Sequence, residues 1–146
     1  MKIIPPHRVN SIDCQEKNIE RILNDGVEMV KLCFEKIGKY SGGLAVAHCQ
    51  ITEKEPLRFF ATRGGEIIIN PVITRHTNIK KPHREGCLSY ADRQETYPNR
   101  WDKCEVEYFI INNEKEFIKV EEKLTGIRAK VFQHEIDHFN SIYIYD

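Results

Sequence analysis

The sequence HEIDH, His134 to His138, sets the strictest condition on this chain. Two histidines four residues apart project from the same face of a helix about one turn from each other, as two ligands of one tetrahedral metal ion require. Glu135 stands beside them, where a carboxylate can take a proton from water activated at the ion. The helix starts near Thr125, a residue suited to an N-cap, and runs through GIRAKVFQHEIDHFNS. Ile127, Val131, His134 and His138 follow one another at i, i+4, i+7 and i+11, so an apolar stripe leads directly into the two histidines. A solvated helix turn with two unrelated histidines would not continue such a stripe.

A catalytic site of this type wants three protein ligands and one open position. Only FNSIYIYD follows His138, with Asp146 as its sole candidate, and eight residues are too few for a returning helix. The third ligand is therefore expected upstream, from Cys87, Cys49, His48, His76 or His83. Cys87 lies in REGCLSYADR, a polar stretch without helical or strand periodicity, where a cysteine is hard to explain as core filling. Cys49 ends GLAVAHCQ, where it reads as a small buried strand residue. Cys87 thus ranks above Cys49. His48 and Cys49, as neighbours on a strand, would point to opposite faces and could not both reach one ion without a bulge.

The remaining pattern is that of one α+β domain spanning residues 1–146. Ile19, Ile22, Leu23, Val27, Val30, Phe34 and Ile37 recur at helical spacing, predicting an amphipathic helix from Glu16 to Lys39 that ends near Gly38. GLAVAHCQI reads as a short buried strand. LRFFATR (57–63) and EIIINPVIT (66–74) form a hairpin around Gly64-Gly65, and KCEVEYFII and KEFIKVE form a second around Asn112-Asn113. The segment from Thr74 to Arg100 reads as a turn-rich loop, with KKPHR (Lys80 to Arg84) as a solvated basic cluster.

Composition excludes several classes. The 22 basic and 22 acidic side chains cancel and are dispersed, so no footprint for nucleic acid or an anionic membrane exists. No apolar run approaches the ~20 residues of a membrane span, and the start lacks the features of a signal peptide. Five cysteines at irregular spacing argue against a disulfide framework and for a reducing, cytoplasmic compartment.

Three segments together resemble the peptide deformylase family. QHEIDHFNS (Gln133 to Ser141) is similar to its QHExDHLxG motif, and EGCLS (Glu85 to Ser89) matches its second motif intact. GLAVAHCQ (Gly43 to Gln50) resembles the first, GxGxAAPQ, less closely, with Ala45, His48 and Cys49 replacing glycine, alanine and proline. The resemblance covers most of residues 1–141. It implies an α+β fold of antiparallel sheets packed around a central C-terminal helix that carries HExxH, with the amphipathic helix at the N-terminal side. It also implies hydrolysis of the N-terminal formyl group from formylmethionine of newly made polypeptides, releasing formate.

Carried over residue by residue, the resemblance makes Cys87, His134 and His138 the metal ligands and Glu135 the catalytic acid–base. It assigns stabilisation of the developing oxyanion to Gln50 and to the backbone N–H of Leu88. It directs the methionine side chain to a pocket formed by Gly43, Leu44, His83, Ile127, Lys130 and Val131, and pairs the strand containing Ala45 with the substrate backbone. Lys130 and His83 are unexpected in such a pocket, and Ala45 adds a methyl group where a glycine would allow closer approach. Glu85 and Arg100 form an ion pair by analogy, against the alternative of two loop charges in water.

A cysteine and two histidines accept Fe²⁺, Zn²⁺, Ni²⁺ or Co²⁺, and the resemblance implies Fe²⁺. The implied partners are N-formylmethionyl peptides or nascent chains, with transient ribosome contact and no nucleic acid or membrane; a monomer is expected. Two other functions use the same residues: a metalloprotease cutting internal peptide bonds, and a structural metal site closed by Cys49 or His48 without turnover.

Overall fold

A computed structural model describes residues 1–146. Strands β1 (Ala45–Ala47), β2 (Phe59–Thr62), β3 (Ile67–His76), β6 (Lys103–Ile111) and β7 (Phe117–Thr125) form one antiparallel sheet in the order β1-β2-β3-β6-β7. Strands β4 (Lys80–Pro82) and β5 (Asn99–Trp101) form a second, two-stranded sheet. Helices α1 (Ile19–Leu32) and α2 (Gly126–Phe139) complete an α+β architecture.

The strand period of two builds the core. Phe59 and Ala61 of β2 face α1 together with Ile69, packing on Ile22, Met29 and Leu32. Phe60 and Ile68 face the other way and join Val106 and Leu124 against Ala129, Phe132 and Phe139 of α2. The sheet is thus covered by a helix on each side, which is why all four residues of β2 are buried. The two expected hairpins form, Ala61 pairing with Ile67 in one and Ile111 with Phe117 in the other. In the second, the Asn112 side chain accepts from the N–H groups of Glu114 and Glu116 at 3.0 and 2.8 Å, so the turn extends to Glu116.

Several expectations need correction. Helix α1 stops at Leu32 instead of reaching Lys39, because the Cys33 carbonyl is claimed by Gly43 N at 3.0 Å and by Arg63 Nη1 at 2.9 Å. A helical partner at Ile37 is therefore excluded, and Ile37 instead closes a turn with Tyr40. The buried face of α1 is Ile19, Ile22, Gly26, Met29 and Leu32; Val27 and Phe34, assigned to the stripe, are exposed. At Gly26 a Cβ would come within 2.8 Å of Ile67, so the missing side chain lets the helix sit down on the sheet.

GLAVAHCQI is not one strand. It is β1 followed by a 3-10 turn at His48–Gln50, so alternation across a pleat does not govern His48 and Cys49. The segment from 74 to 100 is more ordered than expected, since β3 runs to His76 and KKPHR contributes β4. No helix is long and apolar enough to cross a membrane.

Candidate metal centre

Helix α2 is pinned through the side chain of Gln133. Gln133 Nε2 donates to Trp101 O at 2.9 Å and Gln133 Oε1 accepts from Trp101 N at 2.8 Å, tying the helix to β5. Thr125 occupies the N-cap position with extended backbone but makes no side-chain cap bond. The stripe read from the sequence is not the core face. Ala129, Phe132 and Phe139 enter the core, whereas Ile127 is 62% exposed and Val131 half-buried beside a cavity.

His134 and His138 project toward Cys87, which lies in extended backbone immediately before the 3-10 turn Leu88–Tyr90. Cys87 Sγ and one ring nitrogen of each histidine lie within 4.8 Å of one another. Cys87 Sγ to His138 Nε2 is 3.6 Å. Sulfur and nitrogen at ordinary metal–ligand lengths and a tetrahedral angle stand about 3.6 Å apart, so these atoms fit a divalent ion between them. Thiolate and two imidazoles form a recognised metal donor set.

The other ring nitrogen of His134 is held by a carboxylate. His134 Nδ1 is 2.8 Å from Glu85 Oε1, which leaves Nε2 for the ion. Glu85 is in turn gripped by Arg100, Nε to Oε2 at 2.9 Å and Nη2 to Oε1 at 2.8 Å. Arg100 Nη1 also reaches Asp137 at 2.6 Å. The alternative of two solvated loop charges therefore gives way to a buried ion pair. Burial alone would raise the Glu85 pKa, but the bonds from Arg100 and His134 outweigh it and hold it at about 2.

Glu135 is buried, and its Oε2 has no hydrogen-bond partner. Burial raises its pKa to about 7, which places proton uptake and release near neutrality. Burial also opposes charge on both ring systems of the pair. For His134 the Cys87 and Glu85 hydrogen bonds overcome it and push the pKa up, whereas His138 is driven well below the ordinary histidine range.

The amide of Gln50 is oriented by its own turn. Ala47 N donates to Gln50 Oε1 at 2.8 Å, so the Nε2 end faces Ser89 Oγ at 3.0 Å and Cys87 Sγ at 3.8 Å. Gly43, Leu44, Ala45, His83, Ile127 and Val131 all line the cavity of about 330 Å³ that also borders Cys87, Leu88, His134 and Glu135.

The rival ligands have other partners. His48 uses both nitrogens in the protein, Nδ1 accepting from Leu57 N at 2.9 Å and Nε2 bonding Asp25 at 2.8 Å. Cys49 Sγ donates to the His138 carbonyl at 3.5 Å and is not among the three clustered donors. His76 stacks on Trp101 at 3.8 Å, His83 bonds Glu85 at 3.0 Å, and Asp146 pairs with Arg8. Sequence reasoning gave no role to Gln133, Asp137 or Tyr40. Asp137, inside the motif, carried a signal in its charge; Tyr40, whose hydroxyl is buried without a partner at the cavity wall, carried none.

The polypeptide deformylase family matches residues 7–146. The chain belongs to that family. A peptide deformylase of Pelagibacter ubique is 36% identical over 94 residues, 64% of this chain but only 46% of the relative's own length. One from Thermotoga petrophila is 32% identical over 144 residues, covering 92% of this chain and 72% of the relative. The solved peptide deformylase of Thermotoga maritima superposes with a TM-score of 0.77 at 27% identity, over 99% of this chain and 95% of that one. The deformylase fold accordingly accounts for both sheets and both helices.

Proposed function

We propose that residues 1–146 act as one catalytic unit, a metal-dependent peptide deformylase that hydrolyses the N-terminal formyl group of formylmethionyl polypeptides to formate and a free amine. The observation that carries this reading is the 3.6 Å approach of Cys87 Sγ to His138 Nε2 beside an unpartnered Glu135 carboxylate. Cys87, His134 and His138 would hold the ion, with Fe²⁺ the expected one and Zn²⁺, Ni²⁺ or Co²⁺ compatible with the same donors. A bound divalent ion supplies Lewis-acid chemistry, polarising a carbonyl and making water acidic near pH ~7.

The chain's own residues then divide the work. Glu135 accepts the proton of the attacking water and returns it to the departing amine, a role open to a buried carboxylate whose Oε2 has no other partner. Gln50 Nε2 and the Leu88 N–H donate to the formyl oxygen as it gains charge, with the Gln50 amide already turned by Ala47. Glu85 and Arg100 hold His134 in its tautomer and orientation. β1 pairs with β2 along one edge, and its other edge can take the peptide backbone as an added strand at Leu44 and Ala45. Gly43, His83, Ile127 and Val131 surround the first side chain. The partners follow as formylated nascent chains met transiently at the ribosome, with the protein a cytoplasmic monomer.

The test is anaerobic measurement of formate release from a formyl-Met peptide by iron-loaded wild type and by Glu135→Ala. Release by wild type alone is expected; no formate from the loaded wild type would overturn the proposal.

A further inference from the structure

The cavity beside the candidate metal ligands has a lysine in its wall that its apolar neighbours do not explain. Lys130 lines it, on the same face of α2 as Ile127, Val131 and His134. Lys130 precedes His134 by four positions, about one helical turn, so the two project from the same side of the helix. The Lys130 side chain is 12% exposed.

The ammonium is poorly satisfied there. Its contacts are Asp102 O and Asp102 Oδ1, both at 3.4 Å, and the same carboxylate is drawn to Lys81 at 3.1 Å through its other oxygen. Two long acceptors serve three donors, and two lysines share one aspartate. The remaining cavity charges are matched more closely: Glu85 is committed to Arg100, and Arg84 reaches Glu95 at 3.2 Å. His83 lines the cavity and bonds Glu85 through Nδ1. With only these long contacts to hold it, the Lys130 ammonium can turn to a hydrogen-bond acceptor brought into the cavity, whereas an apolar side chain there offers it none.

We infer that Lys130 is a specificity-determining residue and that the cavity favours a first side chain bearing a neutral hydrogen-bond acceptor at its far end, such as methionine sulfoxide, over an apolar chain of equal length. A neutral acceptor is favoured over a carboxylate because Asp102 already lies beside the ammonium. The inference rests on the deformylase reading for the identity of the substrate, and on the Lys130–Asp102 geometry for its selection.

The experiment compares kcat/KM for formate release from three peptides that differ only in the first residue: formyl-methionine sulfoxide, formyl-methionine and formyl-norleucine. Wild type and Lys130→Met are both assayed. Wild type should prefer sulfoxide over norleucine by about 10- to 100-fold, the range of a hydrogen bond to a charged donor. Lys130→Met should invert that ratio. Equal or better use of norleucine by wild type, or an unchanged ratio in the variant, overturns the inference. Calorimetric binding of the three deformylated peptides to metal-loaded wild type reads the same preference without turnover. A sulfoxide preference in binding with no formate from any substrate would sink the deformylase reading alone. No preference in binding or turnover would sink the role of Lys130 alone.

Discussion

Arg100 grips Glu85 through two hydrogen bonds of 2.9 and 2.8 Å, and Oε1, the oxygen that accepts the second of them, also bonds His134 Nδ1 at 2.8 Å. Both members of the ion pair are under a tenth exposed. The candidate metal ligand on α2 is therefore oriented by a residue from the segment before Cys87 and another from β5, and the three elements cannot shift independently.

Removing Arg100 leaves a buried carboxylate uncompensated. Arg100→Met should lower the stability of the metal-free protein by about 3–5 kcal/mol in urea unfolding, and should weaken metal binding about 10- to 100-fold in a chelator competition. Unchanged metal affinity would show that His134 needs no support from this pair.

Glu135→Gln keeps the volume of the side chain and removes the base. Formate turnover should fall by about 100- to 10,000-fold, while metal content measured by atomic emission stays near that of wild type. Loss of the ion would instead mark Glu135 as part of the ligand set.

Gln50 should act on turnover more than on binding, because its Nε2 is aimed at the site and its Oε1 is spent on Ala47. Gln50→Ala is expected to reduce kcat about 100- to 1,000-fold with little change in KM. A change confined to KM would assign Gln50 to substrate binding.

Cys87→Ser should abolish stoichiometric metal binding. Cys49→Ala and His48→Gln should each retain it, since Cys49 bonds a backbone carbonyl and His48 bonds Asp25 and Leu57. Metal loss in either of the last two would restore the idea of a closed structural site.

His48 supplies a pH dependence away from the metal. Burial holds its pKa down at about 4 against the opposing effect of the hydrogen bond that Nε2 makes to Asp25. The unfolded chain takes up this proton near pH ~6.5, so the contribution is complete above that pH and is lost progressively as pH falls toward about 4. Between pH 7 and 4.5 wild type should lose on the order of 2 kcal/mol more stability than His48→Gln. Parallel stability curves for the two proteins would exclude His48 as the source.

Much of the site was legible because local spacing dictates it. HEIDH on a helix brings two imidazoles to one face whatever surrounds them, and EGCLS stood out because a cysteine in a polar, aperiodic loop has no packing role. The two hairpins were legible for a similar reason, since turn residues separate runs of β-formers. The end of α1 was not. Nothing near Cys33 reveals that Gly43 and Arg63 will take its carbonyl, since both arrive from elsewhere in the fold. The break at His48–Gln50 was hidden too, because a buried strand and a buried 3-10 turn draw on the same small and apolar residues.

The sequence by itself determined the chemistry available to this protein: two helical imidazoles, a carboxylate between them, a thiol in a loop and a glutamine after a short strand. Periodicity and residue type suffice for that, because they act over a few residues. Only the tertiary structure decided which cysteine meets the histidines, that Glu85 and Arg100 form a buried pair, that His48 belongs to the core, and that Lys130 lines the cavity with a half-shared partner. Each of those outcomes depends on groups far apart in the chain meeting at hydrogen-bond distance, where burial turns an ordinary charge or ring into one that must be satisfied.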